Sequence, residues 1–292
     1  MSDNEIRPTL NVDVVLFTVV DERTLKSGFW NDSLVEPATL LRSEETGLSL
    51  LVVTKASEFG RSLPGSSIGA NERVEEAAQR IVREDLGIRA RVRLRDAGFY
   101  DQPGRNPNER AISFSYWGFV AFNDLRKVLG GRDEVGLEMV NSKSFMTTYA
   151  DEHGGMQEFD GISRFGLRLM PNRTRGHKRL SSVEVSGRKI LGLDHDDMVF
   201  YAWRKLRYAF KGQLDPFRFL GVKALGDEFR LSDLQEFQDV ARGSVTPRDA
   251  FRREMLGEDS FLEPIGKVDS SRPGKPAALY TLSSALNLDE QD

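Results

Sequence analysis

The sequence predicts an α/β sandwich with a mixed sheet, followed by a C-terminal winged helix-turn-helix. Three observations carry that prediction. Apolar, strand-like runs at Asn11–Val20 (NVDVVLFTVV), Ser49–Thr54 (SLLVVT) and Ile112–Phe122 (ISFSYWGFVAF) surround one strongly periodic helix. That helix is fed by a glycine-rich loop within LPGSSIGANERVEEAAQRIVREDLGI, Leu63 to Ile88. Past residue 196, two amphipathic helices joined by a tight turn lead to a basic Gly/Pro loop and a closing strand, the order of a winged helix.

A chain of 292 residues is long enough for two domains with separate cores. Its net charge of −4 carries no global nucleic-acid signature, so any DNA contact must come from local patches. With no cysteine, disulfides, thiolate metal sites and a cysteine nucleophile are excluded. The three histidines, His153, His177 and His195, are scattered, which argues against zinc. No apolar run reaches the roughly 18 residues of a membrane span and no signal-peptide pattern opens the chain, so a soluble, cytoplasmic protein is expected.

In chain order, the first ten residues are polar. Asn11–Val20 is near-continuously apolar and β-branched, as a strand buried on both faces would be. Residues 21–48 show no period and read as a long connection. After Ser49–Thr54 comes the tight loop of Pro64, Gly65 and Gly69. Val74, Ala77, Ala78 and Ile81 then form one helical stripe, with Asn71 as the expected N-cap and Gly87 as the stop. Ala90, Val92 and Leu94 alternate as a strand, residues 100–110 are turn-rich, and a further strand is expected near Ser142–Tyr149. Residues 161–190 hold eight cations against Glu184 alone, a net of +7, which suits either a solvated face or phosphate contact. A helix from about Asp196 aligns Met198, Ala202, Leu206 and Phe210. The next, SDLQEFQDVAR, is capped by Ser232 and turns Leu234 and Phe237 inward. After GSV, the helix TPRDAFRREML starts at Thr246 with Pro247 in its first turn. The loop KVDSSRPGKPAAL ends in a strand at Leu279–Leu282.

A glycine-rich loop before a helix bearing spaced carboxylates suits a metal-bridged diphosphate. The stretch resembles the Nudix box, G-x5-E-x7-R-E-U-x-E-E-x-G-U, where U is a bulky apolar residue. Glu72 fills the first acidic position, Arg80 the arginine, Val82 the apolar one, Glu84 and Asp85 the paired acids, and Gly87-Ile88 the close. Ser66 stands in place of the glycine and Ile81 in place of the glutamate after the arginine. In Nudix hydrolases that glutamate joins the paired acids in holding Mg²⁺ and activating water. Isoleucine supplies neither a hard oxygen ligand nor a base. The resemblance therefore implies a Nudix-type fold that is not an enzyme: no catalytic residues, no metal site beyond vestigial Glu84 and Asp85, and a retained capacity for a nucleotide.

In the C-terminal part, Arg248, Arg252 and Arg253 at i, i+4 and i+5 share one helix face, and Arg272 and Lys275 follow in the loop where a wing reaches the backbone. A helical interaction or dimerisation module is the plainer alternative. The blocks LDHDDMVFYAWRKLRYAF, FRLSDLQEFQDV, FRREML and RPGKPAALYTL resemble those of NrtR-type regulators, and the similarity runs from about residue 11 to 283. It implies a Nudix-like effector domain at 1–160, a basic insertion or linker at 161–195, and a winged-helix DNA-binding domain at 196–286. It also implies a homodimeric transcriptional repressor of NAD- and ADP-ribose-related genes that binds double-stranded DNA at a palindromic operator. No cofactor is required. The effector is an ADP-ribose-like nucleotide, with Mg²⁺ at most its companion. Arg61, Arg80, Glu84, Asp85 and Arg110 are the expected effector contacts, Arg80 having the alternative of pairing with acids of its own helix. Thr246, Arg248, Arg252, Arg253, Arg272 and Lys275 are the expected DNA contacts. The rival readings are a Mg²⁺-dependent Nudix hydrolase of a nucleoside diphosphate derivative with an accessory domain, and a nucleotide-responsive scaffold for protein partners.

Overall fold

A computed structural model describes residues 7–21, 48–129, 134–139, 146–150, 156–160, 182–183, 191–209, 222–242, 246–257, 260–270 and 275–283. Strands β1 (Thr9–Asp21), β2 (Leu48–Ser57), β3 (Gly60–Ser62), β4 (Gly65–Ser67), β5 (Leu94–Tyr100), β6 (Ala111–Phe119) and β7 (Val135–Met139) form one mixed sheet. Its order is β3-β2-β1-β6-β5, with β4 paired to the start of β1 and β7 to β2. The β1–β6 pair is parallel and the remaining pairs are antiparallel.

The apolar run of β1 is buried on both faces, and its alternation sorts the helices into two layers. Val12, Val14 and Leu16 pack with Ala77, Ala78 and Ile81 of helix α1 (Val74–Arg80), and with Leu125 and Val128 of α2 (Phe122–Leu129). Val15, Phe17 and Val19 face the other way, against Met198, Ala202 and Leu206 of α3 (His195–Ala209) and Phe237 and Val240 of α4 (Leu231–Arg242). The α/β/α sandwich is as predicted. The expected division at residue 196 is not, because α3 is the layer that keeps Val15, Phe17 and Trp117 dry. A strand apolar on both faces needs a cover on each, and α3 is the second cover.

Other differences are local. Helix α1 begins at Val74 rather than after an Asn71 cap, and the Glu76 carboxylate accepts from the Arg73 N–H at 2.8 Å. Helix α4 begins at Leu231, so Ser232 lies inside its first turn. Of the strand expected over Ala90, Val92 and Leu94, only Leu94 is in β5, although Val92 is buried. The strand near Ser142–Tyr149 is β8 (Met146–Ala150), flanked by β9 (Met156–Asp160) and β10 (Ser182–Val183) in a separate antiparallel sheet. Strand β10 falls within the expected basic insertion. The rest of residues 161–190, most of the 21–48 connection and Phe210 lie outside the described residues.

The C-terminal unit holds β11 (Phe229–Arg230), α4, α5 (Arg248–Met255), β12 (Leu262–Asp269) and β13 (Ala277–Leu282), with sheet order β11-β13-β12. Val222, Phe229, Leu234, Phe251, Met255 and Leu262 form its own small core. Helix α4 serves both units: Leu234 is in this core, whereas Phe237 and Val240 are in the sandwich core. The Phe237 ring meets Phe119 of β6 edge-on at 5.2 Å between centroids. Among the described residues no helix is long and apolar enough to cross a membrane.

Truncating Phe237 to Ala should lower the unfolding free energy by about 3–5 kcal/mol, the usual cost of deleting a buried aromatic ring. Urea unfolding measures this, and a loss below about 1 kcal/mol would mean that the helix is not held by the sheet.

Candidate functional site

Arg80 is where the loop and helix of the N-terminal motif meet. Its Nε donates to Glu72 Oε1 at 2.7 Å and its Nη2 to Glu72 Oε2 at 2.9 Å, a bidentate pair. The same guanidinium donates to Ser66 Oγ and the Ser67 carbonyl, each at 3.0 Å, and lies 3.8 Å from Asp85. Glu72 also accepts from the Gly69 N–H at 2.9 Å. The Arg80 guanidinium, with the Gly69 N–H, lowers the Glu72 carboxyl to about 2. Arg80 thus clasps the glycine-rich loop to its helix.

Helix α1 continues as a π-helical turn over Ile81–Asp85, in which the Leu86 N–H reaches back to the Ile81 carbonyl. The wider turn shifts the apolar phase by one residue. Ile81, Val82 and Leu86 are fully buried, while Asp85 is half-buried and Glu84 exposed. Gly87, at φ 75°, then ends the element. Ile81 is therefore core, and a carboxylate at this position would point into the sandwich. With Glu72 held by Arg80 and Ile81 inside, only Glu84 and Asp85 remain, which does not fit the three-carboxylate set that would hold Mg²⁺. Among the described residues no group of three or more His, Cys, Asp or Glu is placed to hold a metal ion.

On the opposite face of β1 lies a buried polar cluster. Asp13, the one charge in the β1 apolar run, accepts a short hydrogen bond from Ser113 Oγ. Arg105, from the β5–β6 loop, binds Asp194 in bidentate fashion at 2.8 and 2.7 Å and lies 3.8 Å from Asp13. His195 Nδ1 accepts from the Leu63 N–H at 2.9 Å, and its Nε2 is 3.7 Å from Asp13. A Cβ at Gly65 would strike Asp13 Oδ1, so glycine in the LPG turn is a steric requirement. Burial pushes the Tyr100 phenol well above its ordinary value, and Asp197, Tyr201 and Asp194 push the same way.

Beside this cluster opens a cavity of about 640 Å³ between the β2–β3 turn, the β5–β6 loop and the approach to α3. Phe59, Arg61, Gly104, Arg105, Leu193 and Asp194 are among its walls. Of the five expected effector contacts, only Arg61 lines it; its guanidinium donates to Thr54 Oγ1 at 3.2 and 2.9 Å and to the Glu134 carbonyl at 3.3 Å. Arg110 donates to the backbone carbonyls of Gln102 and Ala111. Arg80, Glu84 and Asp85 belong to the helix on the other face of β1. The five residues thus form no single site. Sequence reasoning missed Asp13, Arg105, Asp194 and His195. Two signals were present: a lone acid inside an apolar strand, and the run of ionisable residues in LDHDD.

In the C-terminal unit, a groove of about 520 Å³ runs between α4, α5 and β13, and Ser232, Gln235, Arg248, Arg252, Lys275 and Tyr280 line it. Arg248 and Arg252 are exposed one turn apart on α5, and Lys275 reaches the groove from the approach to β13. Arg253 is exposed but lies off the groove lining, and Arg272 is outside the described residues. Thr246 is used internally: its N–H and Oγ1 both donate to Asp239 Oδ1, at 3.1 and 2.8 Å, and its carbonyl accepts from Gln235 Nε2 at 2.6 Å. It fixes the α4–α5 turn, and with it the aim of α5.

Residues 221–282 match the family model described as the NrtR DNA-binding winged helix domain. Shewanella oneidensis NrtR complexed with a 27mer DNA has a similar structure: 17% identity, 95% of this chain and 94% of that chain covered, TM-score 0.57. The structure of Shewanella oneidensis NrtR alone gives 17% identity, 94% of each chain and a TM-score of 0.56. A MutT/nudix family protein from Enterococcus faecalis gives 16% identity, 97% and 89% coverage and a TM-score of 0.54. At these identities the likeness establishes the fold, a Nudix-type sandwich carrying a winged helix. No curated protein matches the sequence.

Two substitutions test the motif geometry. Removing the clasp with Arg80→Ala should return the Glu72 carboxyl from about 2 toward its ordinary 4.5, as read by carbon-13 NMR titration. Because the folded value is depressed, the clasp stabilises above pH 4.5 and fades as pH falls toward 2. Ile81→Glu should destabilise the fold by about 3 kcal/mol or more, since it buries an unpaired carboxylate, and should yield no Mg²⁺-dependent turnover of ADP-ribose. Turnover in a stably folded Ile81→Glu protein would overturn the placement of this residue.

Proposed function

From an NrtR-type winged helix domain carried on a Nudix-type fold, we propose a DNA-binding transcriptional regulator controlled by an ADP-ribose-like nucleotide. The observation that carries the DNA reading is the convergence of Arg248, Arg252 and Lys275 on one groove. Among the described residues none of the three has an ion-pair partner, so their charge is available to phosphates. Arg253, exposed on the same helix, extends this basic surface, Arg272 is kept as an expected phosphate contact from its place in the sequence, and Thr246 acts by orienting α5. That Shewanella oneidensis NrtR carries a 27mer DNA supports the same use of this domain.

We take the regulator as a homodimeric repressor of genes of NAD- and ADP-ribose-related metabolism. A two-fold dimer meets a palindromic operator with one α5 per half-site, the half-sites about one helical turn or a multiple apart. Control requires the nucleotide to bind two conformations unequally. Arg61 is the one expected effector contact on a cavity wall; Arg80, Glu84 and Asp85 stand on the motif helix across β1, and Arg110 is engaged with backbone carbonyls of its own loop and strand. The hydrolase reading needs a third carboxylate on the helix, and Ile81 lies in the core instead.

A gel shift on the protein's own upstream DNA tests this. Arg252→Ala should weaken binding about tenfold or more and reduce the salt slope by about one, while ADP-ribose binding stays intact. Unchanged affinity and slope would remove the groove from the DNA interface.

A further inference from the structure

The 640 Å³ cavity lies away from the motif helix, and its walls have a defined chemistry. Its volume falls within the range of about 300–1,000 Å³ typical of small-molecule sites. Arg105 is held rigidly: Nε and Nη2 are engaged by Asp194, and only 3% of the side chain is exposed. Its Nη1 has no acceptor among the described residues, although the residue lines the cavity. A guanidinium donor fixed in a cavity wall without an acceptor favours an anionic oxygen. The half-buried Phe59 supplies an aromatic wall. The wall itself is braced. Gly192 donates to the Arg61 carbonyl at 2.7 Å, and a Cβ on Gly192 would stand 2.7 Å from Phe59 Cβ. Leu193, a cavity residue, is the one non-glycine residue at positive φ, 53°, among those described. Such strain persists only where surrounding contacts hold it, and it collects at binding sites.

We infer that this cavity, bounded by Phe59, Arg105 and the Leu193–Asp194 turn, is the nucleotide site. An aromatic base rests against Phe59 and a phosphate oxygen accepts from Arg105 Nη1. The inference rests on the reading of the chain as a nucleotide-controlled regulator, and moves the binding locus from the motif helix to the α3 face of the sheet. Asp194 is both the partner of Arg105 and the residue whose carbonyl accepts the first α3 backbone bonds, from Asp197 and Met198. Occupancy of Arg105 therefore bears directly on the start of α3.

Calorimetric titration of the full chain with ADP-ribose and with AMP tests the site, paired with gel shifts on its upstream DNA. Phe59→Ala, at the cavity rim, should weaken nucleotide binding about tenfold, as loss of a base-stacking ring does, and leave ligand-free DNA binding unchanged. Arg105→Lys keeps the charge but loses the fixed fork, and should cost at least as much for both nucleotides. Undiminished affinity in Phe59→Ala, with loss in Glu84→Gln, would overturn the inference and return the site to the motif helix. A wild-type protein that shifts DNA but binds neither nucleotide would overturn the site and leave the DNA reading standing. Nucleotide binding that depends on Phe59 in a protein that shifts no DNA would support the site and overturn the regulator reading.

Discussion

The alternation of β1 is the constraint on which the rest depends. A strand with Val12, Val14 and Leu16 on one face and Val15, Phe17 and Val19 on the other cannot tolerate water on either. It must lie centrally, between β2 and β6, and must be covered twice. The first cover is the helix of the Nudix-like motif. The second comes from more than 170 residues further along the chain, as α3 and part of α4. Both the position of the cavity and the attachment of the winged helix follow from that second cover.

Asp13 interrupts this apolar strand on the face toward α3, and its burial has to be compensated. Ser113, Arg105 and His195 gather around it, drawing in the β5–β6 loop and the start of α3, while the LPG turn supplies an N–H to His195 and a glycine that leaves Asp13 room. A buried carboxylate without such partners would cost several kcal/mol. Three segments distant in sequence are thereby held at one point, and the cavity opens where they meet. The motif helix has an arrangement of its own. Glu72 and Arg80 fasten its loop, and the π turn places Ile81 and Leu86 in the core. The Arg80 guanidinium, bonded to Glu72, Ser66 and Ser67, holds the loop in shape.

Much of this was legible in the sequence because hydrophobic period is a strong signal. The β1 and β6 runs, the stripe of α1, the Gly87 stop and the mixed sheet with its C-terminal winged helix all follow from spacing and resemblance. What escaped was set by tertiary context. The stripe Met198, Ala202, Leu206 announces a helix but not which sheet it covers, hence the misplaced boundary at 196. Asn71 and Ser232 have the right chemistry for caps. Each helix nonetheless starts elsewhere, because Glu72 is drawn to Arg80 and because the chain entering α4 at Phe229–Arg230 pairs with β13. The two faces of β1 separate the five expected effector residues in space, while Arg105 and Asp194, 89 positions apart in sequence, meet as a bidentate pair.

Helix α4 shows how the two units are connected. Phe237 and Val240 bind it to the sandwich, Leu234 to the core of the winged helix, and Gln235 and Asp239 to Thr246 in the turn before α5. A packed helix behaves as a rigid body, so α5 cannot change its orientation to the sandwich without breaking the Asp239–Thr246 bonds or shifting α4 on the sheet. Helix α3 lies in the same layer and begins at Asp194, at the edge of the cavity. Cavity, α3 and α4 are thus contiguous through packed contacts, and the Asp239–Thr246 bonds tie α4 to the approach to α5. Contiguity alone supplies no coupling energy, which must come from a ligand that prefers one packing over another. What the architecture provides is a shared core: a displacement at the start of α3 is resisted by the same packed side chains that hold α4.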